Sequence, residues 1–299
     1  MNPTIEPFHG LPCQRIQNRA LRVDYLSGCG PRIVRLELNA SSENLFAELP
    51  NEVIETTQGV FHARGGHRLW HAPEDNPRSY IPDDRPIAIE AAENRASLTQ
   101  PVEVETGIEK RIEIELVDDA PVVLVRHTLI NRGMWPVELA AWAITQLPPG
   151  GLIILPEPSE PSDRSGVLPN RHLALWPYTR WNDPRFQPVD GFVCLTADPT
   201  PTAIKVGLLN HSGWVAYYRA GVFFRKFFDP QVDRAHPDFN CNVESYSKET
   251  FVELETIGAL ERLEPGQSTQ HTERWEITAG LDLPATVENL PRLLERLQH

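Results

Sequence analysis

Residues 62–74 read HARGGHRLWHAPE, which sets three histidines, two arginines, a Trp and a Glu around a Gly-Gly pair. Imidazoles titrate near neutrality and serve as proton donors, proton acceptors or metal ligands. Guanidinium groups hold hydroxyls or anions, and an indole offers a stacking plane. His67 and His71 stand four apart, a spacing that would suit a metal on a helix. Gly65-Gly66 and Pro73 argue against a helix, and no third ligand lies at a recognisable spacing, so neither a metal nor a cofactor is expected. Arg64, His67, Arg68, Trp70, His71 and Glu74 together read as one wall of a pocket. The plainer alternative is a polar network that pins a crossover between strands.

A second constellation follows from strand parity, because alternate side chains of an extended run share a face. In FVELETI (251–257), Val252 and Leu254 point to a core while Glu253 and Glu255 project from the opposite face. Just upstream, HPDFNCNVESYSKE carries His236, Asp238, Asn240, Asn242, Glu244 and Tyr246 at alternating positions. Such a ladder suits either plain solvent or a sugar, whose hydroxyls both donate and accept and so match Asp, Glu, Asn, Arg and Trp.

The segments that must position these residues read as strands. Short apolar or alternating runs recur throughout, among them RIVRLEL, RIEIELV, VVLVRHTLI, VELAAWAI, GLIILP, IKVGLLN, WVAYYRA, VFFRKFF and TERWEIT. Most are bounded by Gly, Pro, Asn or Asp, and the 28 prolines fall mainly between runs. This grammar predicts an all-β protein: one large, mostly antiparallel β-sandwich domain over 1–299. The exception is PATVENLPRLLERLQH, whose leucines recur at helical spacing and whose last turn carries Arg296 and His299, which predicts a short C-terminal helix over about 284–298. Residues 156–169 read as a Pro/Ser/Asp loop, since strand grammar resumes after it.

Composition narrows the partners. Lys plus Arg is 28 against 41 for Asp plus Glu, a net charge of −13, which repels phosphate backbones and anionic lipid. Nucleic acid and membrane surfaces are therefore not expected. The N-terminal MNPTIEPFHG lacks the basic and apolar regions of a signal peptide, and no run approaches the ~18–20 apolar residues of a membrane span. Cys13, Cys29, Cys194 and Cys241 are scattered and read as free thiols. A cytoplasmic location is the expectation.

With these residues in view, the chain resembles the galactose mutarotase-like (aldose 1-epimerase) superfamily over roughly residues 10–280. GCGPRIVRLELN followed by NLFAELP is similar to that family's early Gly-Arg-Ile turn and short strand. RGGHRLWHAPE resembles the Arg-Gly-Gly segment of the hexose-6-phosphate mutarotase branch. FVELETIGALERLEPGQSTQHTERWEI resembles the strand with the catalytic Glu, the Leu-x-Pro-Gly turn and the last strand. GGHRLWHAPE together with PDFNCNVESYS is similar to a further branch of the superfamily. The resemblance implies a β-sandwich with a sugar site on its concave face. It makes Glu255 the general base that takes the anomeric hydroxyl proton, and Arg64 the residue that holds sugar hydroxyls or a phosphate. The family's acid is a His in the strand that here reads ELAAWAITQL, and Trp142 occupies its position. An indole N–H is not acidic enough to protonate a ring oxygen, although its face could stack on a sugar. His67, His71 or His236 could supply the acid instead.

Three functions remain open on the sequence. One is an aldose epimerase or mutarotase-like isomerase with Glu255 as base. Another is a non-catalytic sugar-binding protein whose wall uses Arg64, Arg68, Trp70, Glu74, Trp142, His236, Asp238, Asn240 and Glu253. The third is an interaction module whose polar face, or whose C-terminal helix, packs against another subunit. The expected partner is a small sugar or sugar derivative, and oligomeric state is left open.

Overall fold

A computed structural model of the chain describes residues 5–41, 43–76 and 78–297. Two antiparallel sheets stack face to face, as the alternating runs require. Across the middle of the first sheet the strands lie in the order Gly59–Ala72, Val137–Leu147, Val252–Ile257, Val243–Ser247, Ile204–Leu208 and Leu173–Leu175. Cys13–Gln17, Leu21–Leu26 and Arg32–Leu38 continue it on one side. The second sheet has Leu152–Pro156, Trp214–Arg219, Val222–Phe228, Ser268–Thr278, Val122–Asn131 and Ile108–Leu116 at its centre.

Parity explains the core. Val252 and Leu254, Val206 and Leu208, Leu139 and Ala141, and Leu69 all face the second sheet, where they meet Val123, Val125, Leu129, Phe224 and Trp275. Their sequence neighbours therefore face outward. The C-terminal element is shorter than the leucine spacing predicts: a 3-10 turn Val287–Asn289 leads into a helix Leu290–Arg296, and His299 lies outside the described residues. The helix buries Leu290 and Leu293 on the outer face of the second sheet, against Tyr218 and Phe223.

Residues 62–72 of the polar stretch lie within the 14-residue strand Gly59–Ala72, and Pro73 and Glu74 follow it. The two glycines of the stretch have a packing reason. Gly65 and Gly66 take φ of +87° and +74°, and a Cβ on them would run into the carbonyl oxygens of Ala47 and Ile33. Only glycine lets the neighbouring chain approach this closely.

Candidate functional site

The strand Gly59–Ala72 divides the expected wall by parity. Arg68 and Trp70 point away from the second sheet, while His67 and His71 point to the other side. Arg68, Trp70 and Glu74 join Trp142, Gln146, Lys205, Tyr246 and Glu253 around a hollow of about 650 Å³ on the outer face of the first sheet. Loops close it on two sides, with Tyr80 at one end and Trp176 and Tyr178 at the other.

The floor is built on cross-strand pairs. Glu255 stands opposite Ile144 on one neighbouring strand and opposite Glu244 on the other. Both carboxylates are fully buried. The Lys205 ammonium reaches Glu244 at 2.6 Å and Glu255 at 3.4 Å. It also lies 4.8 Å from the ring centroid of Trp142 and 4.7 Å from that of Trp176, a cation–π sandwich. Trp142 donates its indole N–H to Glu255 Oε2 at 2.7 Å. Its face and its donor are thus both engaged within the protein.

Two buried carboxylates beside one ammonium cannot both stay charged cheaply. Burial pushes Glu255 up to about 7, against the pull of Lys205. Burial likewise drives Glu244 well above the usual carboxylate range. Burial acts to lower Lys205, but Glu244 and Glu255 outweigh it and hold the ammonium charged. The two carboxylates therefore share one proton near neutrality.

The walls are paired in the same way. Arg68 donates to Glu253 Oε1 at 2.9 Å and stacks on Trp70 at 4.3 Å, and Gln146 donates to the same Glu253 oxygen at 3.0 Å. Tyr80 donates to Glu74, and Lys248 lies 3.8 Å from Glu52 at the rim.

Several expectations are corrected. Arg64 is not in the hollow; it is held at φ +56° and tied to Asp83 and Asp84. His71 sits 3.6 Å from Glu103, and Lys110 also pairs with that carboxylate. His236 places its ring nitrogens against the carbonyls of Gly258 and Gln231. The ladder from 236 to 246 is not one extended run, because Asp238, Phe239 and Asn240 take positive φ and form a tight turn. Asn240 accepts from the His236 backbone, and Asn242 binds Asn210 and Pro230. Of that ladder, Tyr246 lines the hollow and Glu244 lies beneath it. Among the described residues lining the hollow, none is a histidine.

His67 belongs to a polar network between the sheets. Thr145 Oγ1 lies 2.9 Å from His67 Nδ1, His67 Nε2 lies 2.7 Å from His127 Nε2, and His127 Nδ1 lies 2.9 Å from the His271 carbonyl. A carbonyl only accepts, so His127 must carry its proton on Nδ1. His67 then donates from Nε2, and Thr145 donates to His67 Nδ1. His271 Nε2 meets Thr256 Oγ1 at 2.7 Å, and Thr256 donates to Glu273 Oε1 at 2.5 Å. Trp275 donates to Glu273 Oε2 at 2.7 Å. Lys226 pairs with Glu273 at 2.6 Å and donates to the Leu254 and Ala143 carbonyls. Burial holds His67 and His127 below the ordinary imidazole range and takes His271 down to about 3.

His67, His127 and Glu273 bring ligand atoms within 4.8 Å of one another, the kind of set that holds zinc. The fit is poor on chemical grounds. Protons already satisfy these contacts, and a cation would sit beside the Lys226 ammonium in a dry core.

Sequence reasoning missed Lys205, although the signal was present. In IKVGLLN, Ile204, Val206 and Leu208 face the core, which sends Lys205 to the face of Glu253. The inter-sheet network was signalled by Lys226 and His127, which lie on the core parity of their strands.

No protein-family model matches the sequence, and no curated protein matches it. Solved structures do match. A galactose mutarotase-like protein from Lactobacillus casei aligns at a TM-score of 0.60 and 13% identity, covering 89% of this chain and 100% of its own. A galactose mutarotase related enzyme from Lactobacillus acidophilus gives 0.60 and 11%, covering 92% and 100%. A TPR-domain containing protein from Parabacteroides distasonis gives 0.62 and 13%, with 93% of this chain on 50% of that one. The two stacked antiparallel sheets and these matches together assign the chain the galactose mutarotase-like fold.

Proposed function

We propose that this protein binds a neutral sugar in the hollow over Lys205 and Trp142, without relying on an exposed acid–base pair. The observation that carries this reading is that Glu255 is sealed beneath Trp142 and Lys205. The charged groups facing the hollow have partners of their own: Arg68 with Glu253, Lys205 with the two buried carboxylates, Lys248 with Glu52. Among the described residues lining the hollow, each of these cations faces a carboxylate, which leaves a phosphate or carboxylate ligand no uncompensated positive charge. A neutral polyol asks for less. It needs hydrogen-bonding edges, which Gln146, Glu253 and the tyrosines supply, and aromatic planes, which Trp176, Tyr178 and Tyr80 supply.

Mutarotation stands as the second reading, and one observation favours it. Burial brings Glu255 to about 7, which suits a general base at neutral pH. Line broadening between anomers in an NMR exchange measurement on a panel of aldoses tests that reading. Thermal-shift titration with the same sugars tests binding whether or not chemistry occurs, because a ligand held only by the folded state raises Tm. Binding without anomer exchange supports the first reading. Exchange that Glu255→Gln abolishes supports the second, and no Tm shift with any neutral sugar contradicts both.

A further inference from the structure

Aromatic groups line the hollow from one bounding loop to the other, with Trp142 on the floor between them, 5.4 Å from Trp70 between ring centroids. At one end Tyr80 packs on Trp70 at 5.0 Å and on Phe61 at 5.8 Å between ring centroids. At the other end Tyr178 meets Tyr246 at 6.3 Å, Tyr246 meets Phe251 at 5.7 Å, and Trp176 covers Lys205. The strands that carry Trp70 and Lys205, Gly59–Ala72 and Ile204–Leu208, are four places apart in the sheet. At ~4.8 Å per strand their backbones stand roughly 19 Å apart, while the side chains lean together over Trp142, 5.4 Å from the Trp70 ring and 4.8 Å from the Lys205 ammonium. Between the two ends lie Trp142, Ile144, Gln146 and Glu253, an indole and an aliphatic side chain flanked by hydrogen-bonding groups.

A single hexose does not fill such a space. Its ring and hydroxyls, built of ~1.5 Å bonds, span roughly 7 Å. Its volume equals about six waters at ~30 Å³ each, or roughly 180 Å³. The hollow offers about 650 Å³. A second ring has room beside the first.

Building on the sugar-binding reading above, we infer that the ligand is a neutral disaccharide, free or as a unit of a longer glycan. One ring lies by Tyr80 and the other by Trp176 and Tyr178. The glycosidic link crosses above Trp142, where Gln146 and Glu253 meet hydroxyls of both rings. Tyr178 is 46% exposed, so its ring is available at the mouth. The second subsite follows from the loop after Leu173–Leu175, which brings Trp176 and Tyr178 over the sheet.

Calorimetric titration of the full chain with glucose, galactose and mannose, and with maltose, cellobiose and lactose, tests this. The expected result is at least one disaccharide binding tenfold or more tightly than either of its constituent monosaccharides. Tyr178→Ala should cut that preference below threefold. Trp135→Ala, at an exposed indole outside the hollow, should leave the preference intact. Monosaccharides binding as tightly as disaccharides would overturn the two-ring assignment while leaving the sugar-binding reading standing. A preference that survives both Tyr178→Ala and Trp176→Ala would also overturn it. Absence of binding by all six sugars would end both.

Discussion

Trp142 Nε1 and Glu255 Oε2 lie 2.7 Å apart, and that bond closes the floor of the hollow. The indole occupies the position where the resemblance implies an acid, and it spends its only donor on the carboxylate that the resemblance makes the base. Lys205 completes the seal from a strand two places away. These contacts make the floor a buried charge cluster under a flat aromatic lid.

Removing the ammonium should be far more damaging than removing one carboxylate. Lys205→Met leaves Glu244 and Glu255 buried without a counterion, and a loss of about 3–5 kcal/mol is expected. Glu255→Gln keeps an acceptor for Trp142 and relieves the repulsion from Glu244, so a change within about 1 kcal/mol at pH 7 is expected. Urea unfolding of both variants measures this. Equal losses would contradict the charge assignment.

The same cluster gives a pH signature. Folding raises Glu255 from the ordinary ~4.3 to about 7, so the folded state holds this proton longer than the unfolded chain. Wild-type stability therefore falls as pH rises through that window, by on the order of 3 kcal/mol from this group. Glu255→Gln lacks the titration. Its stability relative to wild type should improve by that amount between pH 4.5 and pH 8, read from denaturation midpoints. Parallel pH profiles would show that Glu255 is not raised.

The inter-sheet network fixes proton positions. Nitrogen-15 NMR of the histidine rings at pH 6 should find His67 neutral with its proton on Nε2 and His127 neutral with its proton on Nδ1. An imidazolium signal from either at that pH would break the donor–acceptor chain. Lys226→Met should destabilise the fold by about 3–5 kcal/mol by stranding Glu273, and Glu273→Gln added to it should recover part of the loss.

Gly66→Ala should cost about 3 kcal/mol or more, since φ is +74° and the new Cβ meets backbone rather than a movable side chain. A thermal unfolding curve within a degree or two of wild type would show that the neighbouring strand yields.

Much of the fold was legible because parity and turn residues are local. Val252 and Leu254 pointing inward fixed the face of Glu253 and Glu255 without any knowledge of their partners. The same rule, applied within Gly59–Ala72, would have separated Arg68 and Trp70 from His67 and His71. It was obscured because Gly65-Gly66 and the density of polar residues interrupt the apolar alternation that marks a strand. The turn at Asp238 to Asn240 was hidden for the opposite reason. Its alternating polar residues imitate a strand, and consecutive left-handed residues leave no signal in composition. The pairing of Lys205 with Glu244 and Glu255 is a long-range fact of sheet order, which no local pattern encodes.

A neutral sugar in the hollow would lie over Trp142 and Lys205, within reach of Trp176. The most direct test follows the indole N–H signals of the protein by proton–nitrogen NMR during titration with neutral mono- and disaccharides. Saturable shifts of Trp176, with Trp135 unmoved, are the predicted result. Indole signals that stay fixed through the whole titration, or that move only with charged sugars, would contradict it.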